Sequence, residues 1–250
     1  MAENLAPSAP PPGMVDRYGR RIDYLRISVT DRCDLRCRYC MAEEMSFLPR
    51  SEILTLDEIG VIADRFIERG VRHIRLSGGE PLVRRDFTEL ARRIGRHIGQ
   101  GLDELTLTTN GTQLARHAAD LYDLGMRRIN VSLDSLRPDV FARITRRDRL
   151  ADVLEGIAVA SAEGLAIKIN MVAMRGVNDG EILDMLRWCD SHGHGLTLIE
   201  TMPLGQVSDD RQEHYIPLHE ALAPVRAEHA ICPVDHRSGG PARYFAVEGM

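Results

Sequence analysis

Three cysteines stand on one short stretch, Cys33-Asp-Leu-Arg-Cys37-Arg-Tyr-Cys40, directly after the strand-like run Leu25-Arg-Ile-Ser-Val-Thr30. The C-x3-C-x2-C spacing lets one loop wrap three thiolates around a compact metal centre. Structural zinc takes four protein ligands, and no fourth Cys or His lies nearby. A cubane iron–sulfur cluster usually takes four cysteines, so three leave one iron open to bind something else. The plainer alternative is three incidental or buried thiols. Cys189 and Cys232 have no thiol neighbours and read as structural residues.

A second group of candidates is cationic. Arg26, Arg75 and Lys168 lie on three separate strand-like segments, and Lys168 is the single lysine among 32 Lys plus Arg. A compact ammonium in an arginine background marks a place where a point charge is wanted. Buried cations need partners. Glu80 and Asp134 are the internal candidates, and a polyanionic substrate such as a triphosphate is the external one. Between them sits Gly78-Gly79-Glu80-Pro81, a turn whose glycines allow close backbone approach.

These residues need a scaffold, and the apolar periodicity supplies one. Strands are expected at 25–30, 73–77, 104–109, 127–133, 166–174 and 196–201. Helices are expected at 56–69, 86–97, 113–124, 138–144, 150–163, 181–191 and 218–228. A strand followed each time by a helix implies parallel pairing with right-handed crossovers. The expected fold class is α/β, a partial TIM-like (β/α)6 barrel. Several strands alternate rather than running wholly apolar: Ile74 and Leu76 interleave with His73, Arg75 and Ser77, and Ile167, Ile169 and Met171 with Lys168 and Asn170. The apolar set should pack on the helices and the polar set should line the interior, making a cavity. Arg26, Arg75 and Lys168 share the inward parity. The cysteine loop and the Gly-Gly turn share the strands' C-terminal ends, where barrel active sites assemble.

Composition narrows the classes further. The chain has 250 residues, of which 44% are hydrophobic, and a net charge of −5. That is one domain's worth of core, and the charge argues against a non-specific nucleic-acid binder. No apolar run reaches membrane-span length, and clustered thiols suit a reducing compartment, so the cytoplasm is expected. Residues 1–13, rich in Ala and Pro, read as a disordered leader to a domain at 14–250.

The run from Leu25 to Met41, LRISVTDRCDLRCRYCM, resembles the signature of the radical S-adenosylmethionine (SAM) superfamily. More closely, it is similar to the GTP 3′,8-cyclase (MoaA) family of molybdenum cofactor biosynthesis. Phe47-Leu-Pro49, Ile74-Arg-Leu-Ser-Gly-Gly-Glu-Pro-Leu82, Leu107-Thr-Thr-Asn-Gly111, Arg127-Arg-Ile-Asn-Val-Ser-Leu-Asp134, Ile199-Glu-Thr-Met202 and Gly240-Pro-Ala-Arg243 extend the match. The resemblance implies that Cys33, Cys37 and Cys40 hold a [4Fe–4S] cluster whose open iron is chelated by SAM. It implies SAM contacts at Tyr39, Gly79, Ser132 and Met202, and GTP contacts at Arg26, Arg75, Thr108 and Lys168. In the family, an electron from the cluster cleaves SAM to methionine and a 5′-deoxyadenosyl radical. That radical takes hydrogen from C3′ of GTP, and C3′ then attacks C8 of guanine. The implied partners are GTP, a MoaC-type cyclic pyranopterin synthase downstream and a second copy of the chain in a homodimer.

The family also carries a second three-cysteine group near its C-terminus, where guanine binds, and a Gly-Gly tail. This sequence runs to Val247-Glu-Gly-Met250 with neither. The expectation is that it keeps the SAM half of the site, loses much of the guanine half, and cleaves SAM slowly without coupling to cyclisation. Two alternatives are a radical SAM protein acting on another substrate and a non-catalytic truncated homologue.

Overall fold

The computed structural model describes residues 13–202, 213–235 and 242–250. The expected leader therefore lies, apart from Gly13, outside the described residues. Six parallel strands form one sheet in sequence order: β1 (Tyr24–Ser28), β2 (His73–Ser77), β3 (Glu104–Thr109), β4 (Arg128–Ser132), β5 (Ala166–Ala173) and β6 (Gly195–Glu200). The crossovers carry α1 (Leu56–Glu68), α2 (Phe87–Gly95), α3 (Leu114–Asp123), α4 (Pro138–Thr145), α5 (Leu150–Ala162) and α6 (Ile182–Ser191). This is the expected partial barrel of the α/β class.

Local chemistry fixes where the elements begin and stop. Thr55 and Glu58 form a reciprocal capping box at the start of α1, with Thr55 Oγ1 accepting from the Glu58 amide at 3.2 Å. The expected helix at 218–228 is instead two short ones, α7 (Leu218–Ala221) and α8 (Ala223–Glu228). Pro224 lacks the N–H that a continuous helix would use, so it opens the second helix instead. Sequence periodicity also missed an antiparallel hairpin, β7 (Ile231–Val234) with β8 (Tyr244–Val247). Each of its strands has four residues, too short to show a period.

The strand alternation resolves as the parity argument requires. Ile74, Leu76, Leu105, Leu107, Ile129, Val131, Ile167, Ile169 and Met171 are at most 4% exposed and belong to the main core under the helices. On the opposite face Arg26 is exposed, while Arg75, Thr108, Ser132, Lys168 and Asn170 are half-buried. Side chains stand on alternate faces of a strand, so the apolar set anchors the helices and the polar set lines an interior reached by solvent. Register then places the lining in layers. Arg26 pairs with Arg75 and Arg75 with Thr106. Thr108 pairs with Asn130, Asn130 with Lys168, and Lys168 with Gly195.

Candidate functional site: a cysteine loop above a cation-lined barrel

The loop carrying Cys33, Cys37 and Cys40 leaves the C-terminal end of β1 and is fastened on two sides. The amides of Arg36 and Arg38 donate to the carbonyls of Thr145 and Ile144, at the end of α4, both at 2.9 Å. Arg146 takes a left-handed conformation (φ 56°) just past that helix and reaches the Arg36 and Met41 carbonyls at 3.2 and 3.3 Å. On the other side, Gly79 N donates to Thr30 O and Glu80 N to Arg32 O, each at 2.7 Å, extending the β1–β2 ladder. A Cβ on Gly79 would sit 2.2 Å from the Arg32 carbonyl oxygen. The glycine is therefore required by the approach of the two loops to one another, rather than only by a ligand.

Beneath the loop lies a polar network that sequence reasoning did not anticipate. Asp34 accepts from Asn110 Nδ2 at 2.7 Å and from Thr112 Oγ1 at 2.6 Å. Glu80, wholly buried, accepts from Thr109 Oγ1 (2.8 Å), Leu82 N (2.9 Å) and Asn110 N (2.5 Å). The Tyr39 hydroxyl donates to Asp134 at 2.8 Å, and the other Asp134 oxygen accepts from Val172 N at 2.8 Å. Asn178 ties the Asp134 and Val172 carbonyls together at 2.8 and 2.9 Å. Burial pushes the Glu80 carboxyl up to about 7 and that of Asp134 up to about 6. Burial also works against Asp34, yet the hydrogen bonds from Thr112, Asn110 and Gln113 leave its pKa lowered. The sequence singled out Glu80, Asp134 and Tyr39 one by one, and Asn110 only within the Leu107–Gly111 match, but none of the contacts among them.

Neither acid pairs with the cations. Among the described residues, Arg26, Arg75 and Lys168 make no ion pair at all. Arg26 Nε donates to Ser77 Oγ at 2.9 Å. Arg75 lies over the Tyr24 ring at 5.4 Å, with its Nε buried and without a hydrogen-bond partner. Lys168 Nζ sits 4.7 Å from the centroid of the Tyr244 ring and 3.4 Å from its hydroxyl. The internal neutralisation considered from sequence is overturned: backbone and hydroxyl donors took both carboxylates first.

The residues implied by resemblance fall at two heights. Gly79 follows β2, Ser132 ends β4 and Met202, which is exposed, follows β6; with Tyr39 these stand at the C-terminal rim. Arg26, Arg75, Thr108 and Lys168 stand within their strands, below that rim.

The thiols suit an iron–sulfur centre. Burial pushes Cys33 up to about 11 and Cys37 well above the usual thiol range, with Asp134, Cys33 and Cys40 adding to the effect on Cys37. Thiols that resist ionisation alone become thiolates on binding iron, which releases their protons. Cys189 is buried in the core and Cys232 lies on the β7–β8 hairpin, so neither supplies a fourth ligand beside the loop. Among the described residues, no three His, Cys, Asp or Glu side chains close round a single metal ion. A cubane, by contrast, takes each thiolate on a separate iron.

An α/β barrel with a three-thiol loop at its C-terminal mouth defines a class, and the radical SAM superfamily matches residues 27–189. The structure of native anSMEcpe with bound AdoMet superimposes with a TM-score of 0.62 at 18% identity, covering 76% of this chain and 55% of that one. A GTP 3′,8-cyclase of Erythrobacter litoralis is 57% identical over 94% of this chain and 70% of its own length. One of Rhizobium etli is 53% identical over 99% of this chain and 70% of its own. The chain belongs to the GTP 3′,8-cyclase family of the radical SAM superfamily.

Proposed function

We propose that this chain converts GTP to 3′,8-cyclo-7,8-dihydro-GTP in molybdenum cofactor biosynthesis. Cys33, Cys37 and Cys40 hold one [4Fe–4S] cluster, and Tyr39, Gly79, Ser132 and Met202 contact SAM. The cluster and SAM together supply the one-electron chemistry. The chain's own residues bind, orient and neutralise. Asp134 holds the Tyr39 hydroxyl and so fixes the residue between the second and third thiols. Arg26, Arg75, Thr108 and Lys168 bind the substrate, the three cations on the triphosphate side.

The observation that carries this reading is the unbalanced charge in the wall. Arg26 and Arg75 are direct neighbours across the β1–β2 ladder with no acid between them. Like charges so placed repel, and an anionic ligand would relieve both. The product would pass to a MoaC-type synthase, and we place the reaction in the cytoplasm and the chain in a homodimer. No helix among the described residues is long and apolar enough to cross a membrane.

Anaerobic reconstitution tests the reading. The protein should bind about four irons per chain, the content of one cubane. With dithionite, SAM and GTP it should form 5′-deoxyadenosine together with cyclised GTP, both measured by mass spectrometry. 5′-Deoxyadenosine without cyclised GTP is the uncoupled outcome and would assign the radical to another fate. Neither product from an iron-loaded protein would overturn the proposal.

A further inference from the structure

Asn110 occupies a position that the family's activity does not explain. It is 9% exposed, and every polar atom of its side chain is committed. Its Oδ1 accepts from Thr112 N at 3.0 Å, while the single proton of the Thr112 hydroxyl goes to Asp34 at 2.6 Å. Its Nδ2 donates to Asp34 Oδ1 at 2.7 Å and reaches Cys33 Sγ at 3.6 Å. These partners fix the amide's orientation. A flipped side chain would set its carbonyl against the Asp34 carboxylate and its NH2 against the Thr112 N–H donor. The backbone is held as well, because Asn110 N donates to Glu80 and Gly111, at φ 84°, turns the chain away behind it.

We infer that Asn110 is a positioning residue for the cluster, donating an N–H···S hydrogen bond to Cys33 that raises the reduction potential of the centre. The inference rests on Cys33 being a cluster ligand. Reduction places extra negative charge on the cluster, and part of it resides on the thiolate sulfurs. A fixed N–H dipole aimed at one of those sulfurs stabilises the reduced state more than the oxidised one. Asp34 sits beside the same sulfur with the opposite effect. Asn110 stands between them, one proton on each, and so turns a carboxylate–thiolate repulsion into a bridge.

Two variants separate this role from simple support of the loop. Asn110→Ala and Thr112→Val each remove one hydrogen bond to Asp34, but only the first removes the donor to sulfur. Reductive titration of the reconstituted proteins, followed by electron paramagnetic resonance, should give Asn110→Ala a more negative midpoint than both the wild type and Thr112→Val, at equal iron content. Equal midpoints for the two variants would overturn the inference. Should Asn110→Ala fail to retain iron, the wild type still answers. With 15N in its asparagine side chains, the reduced protein should show a weakly coupled nitrogen in pulsed resonance spectra, and no such coupling would overturn the inference. A wild type that takes up no iron would instead sink the cluster assignment itself.

Discussion

Under the cysteine loop, Asp34, Glu80 and Asp134 meet two or three N–H or O–H donors apiece. In the wall below, Arg26, Arg75 and Lys168 meet two hydroxyls and two aromatic rings, and no carboxylate among the described residues. Both regions are polar, yet one is complete in itself and the other is short of negative charge. The difference separates structural from recognition chemistry. A network with every member paired holds a geometry and gains little from a ligand. Cations held by weak partners keep most of their interaction energy for an anion that arrives later.

The sharpest test of that contrast is to unpair the complete region. Glu80→Ala would leave the Thr109 hydroxyl and the Leu82 and Asn110 amides without their acceptor. Each orphaned buried group costs about 1–3 kcal/mol, so the loss of folding stability should be roughly 3–5 kcal/mol by denaturant titration. A change under 1 kcal/mol would show that water replaces the carboxylate freely and that the network is not what seats the loop. The acid also leaves a pH signature. Burial pushes Glu80 from its ordinary 4.5 up to about 7, so the folded protein binds this proton more readily than the unfolded chain. Stability from this group is therefore full below 4.5 and is lost as pH rises through about 7. Asp134, pushed up to about 6, has the same sign but is present in both proteins. The stability of wild type minus Glu80→Gln should accordingly fall between pH 5 and pH 8, and a flat difference would contradict it.

The next test removes cations from the incomplete region. Arg75→Ala and Lys168→Ala should each weaken GTP binding by about 1.5–3 kcal/mol, the range for a charge-assisted hydrogen bond. Iron content should stay at the wild-type level, because neither residue touches the cysteine loop. Unchanged GTP affinity in both variants, read by calorimetry, would mean that the rings of Tyr24 and Tyr244 already satisfy these cations.

The smallest expected effect lies where the hairpin meets the wall. Tyr244→Phe keeps the ring over Lys168 and removes only the hydroxyl at 3.4 Å. The stability change should be within about 1 kcal/mol, the scale of one hydrogen bond. GTP binding should hold steady or tighten, since the ammonium loses a competing partner. A marked loss of GTP affinity would instead make the Tyr244 hydroxyl a contact of the substrate.

Much of this was already legible in the chain. The three-thiol spacing depends on neighbours in sequence, so Cys33, Cys37 and Cys40 could be read directly. Strand parity has a period of two, which let Arg26, Arg75 and Lys168 be assigned to the inner face before any contact was known. The alternation of strand and helix dictated parallel order for the same reason of local periodicity. What only the tertiary structure decided was pairing. Glu80 and Asp134 had suitable charges for the cations, but a carboxylate bonds the donors that folding brings nearest, and those were the Thr109 and Tyr39 hydroxyls and the amides of Leu82, Asn110 and Val172. Gly79 had the look of a ligand-binding glycine, yet its missing Cβ is first required by the Arg32 carbonyl. Tyr244 reaches Lys168 from 76 residues away, on a hairpin too short to announce itself. Asn110 and Cys33, 77 residues apart, met for the same reason. Sequence carries what repeats locally, whereas contacts between distant loops exist only once the barrel has closed the distance between them.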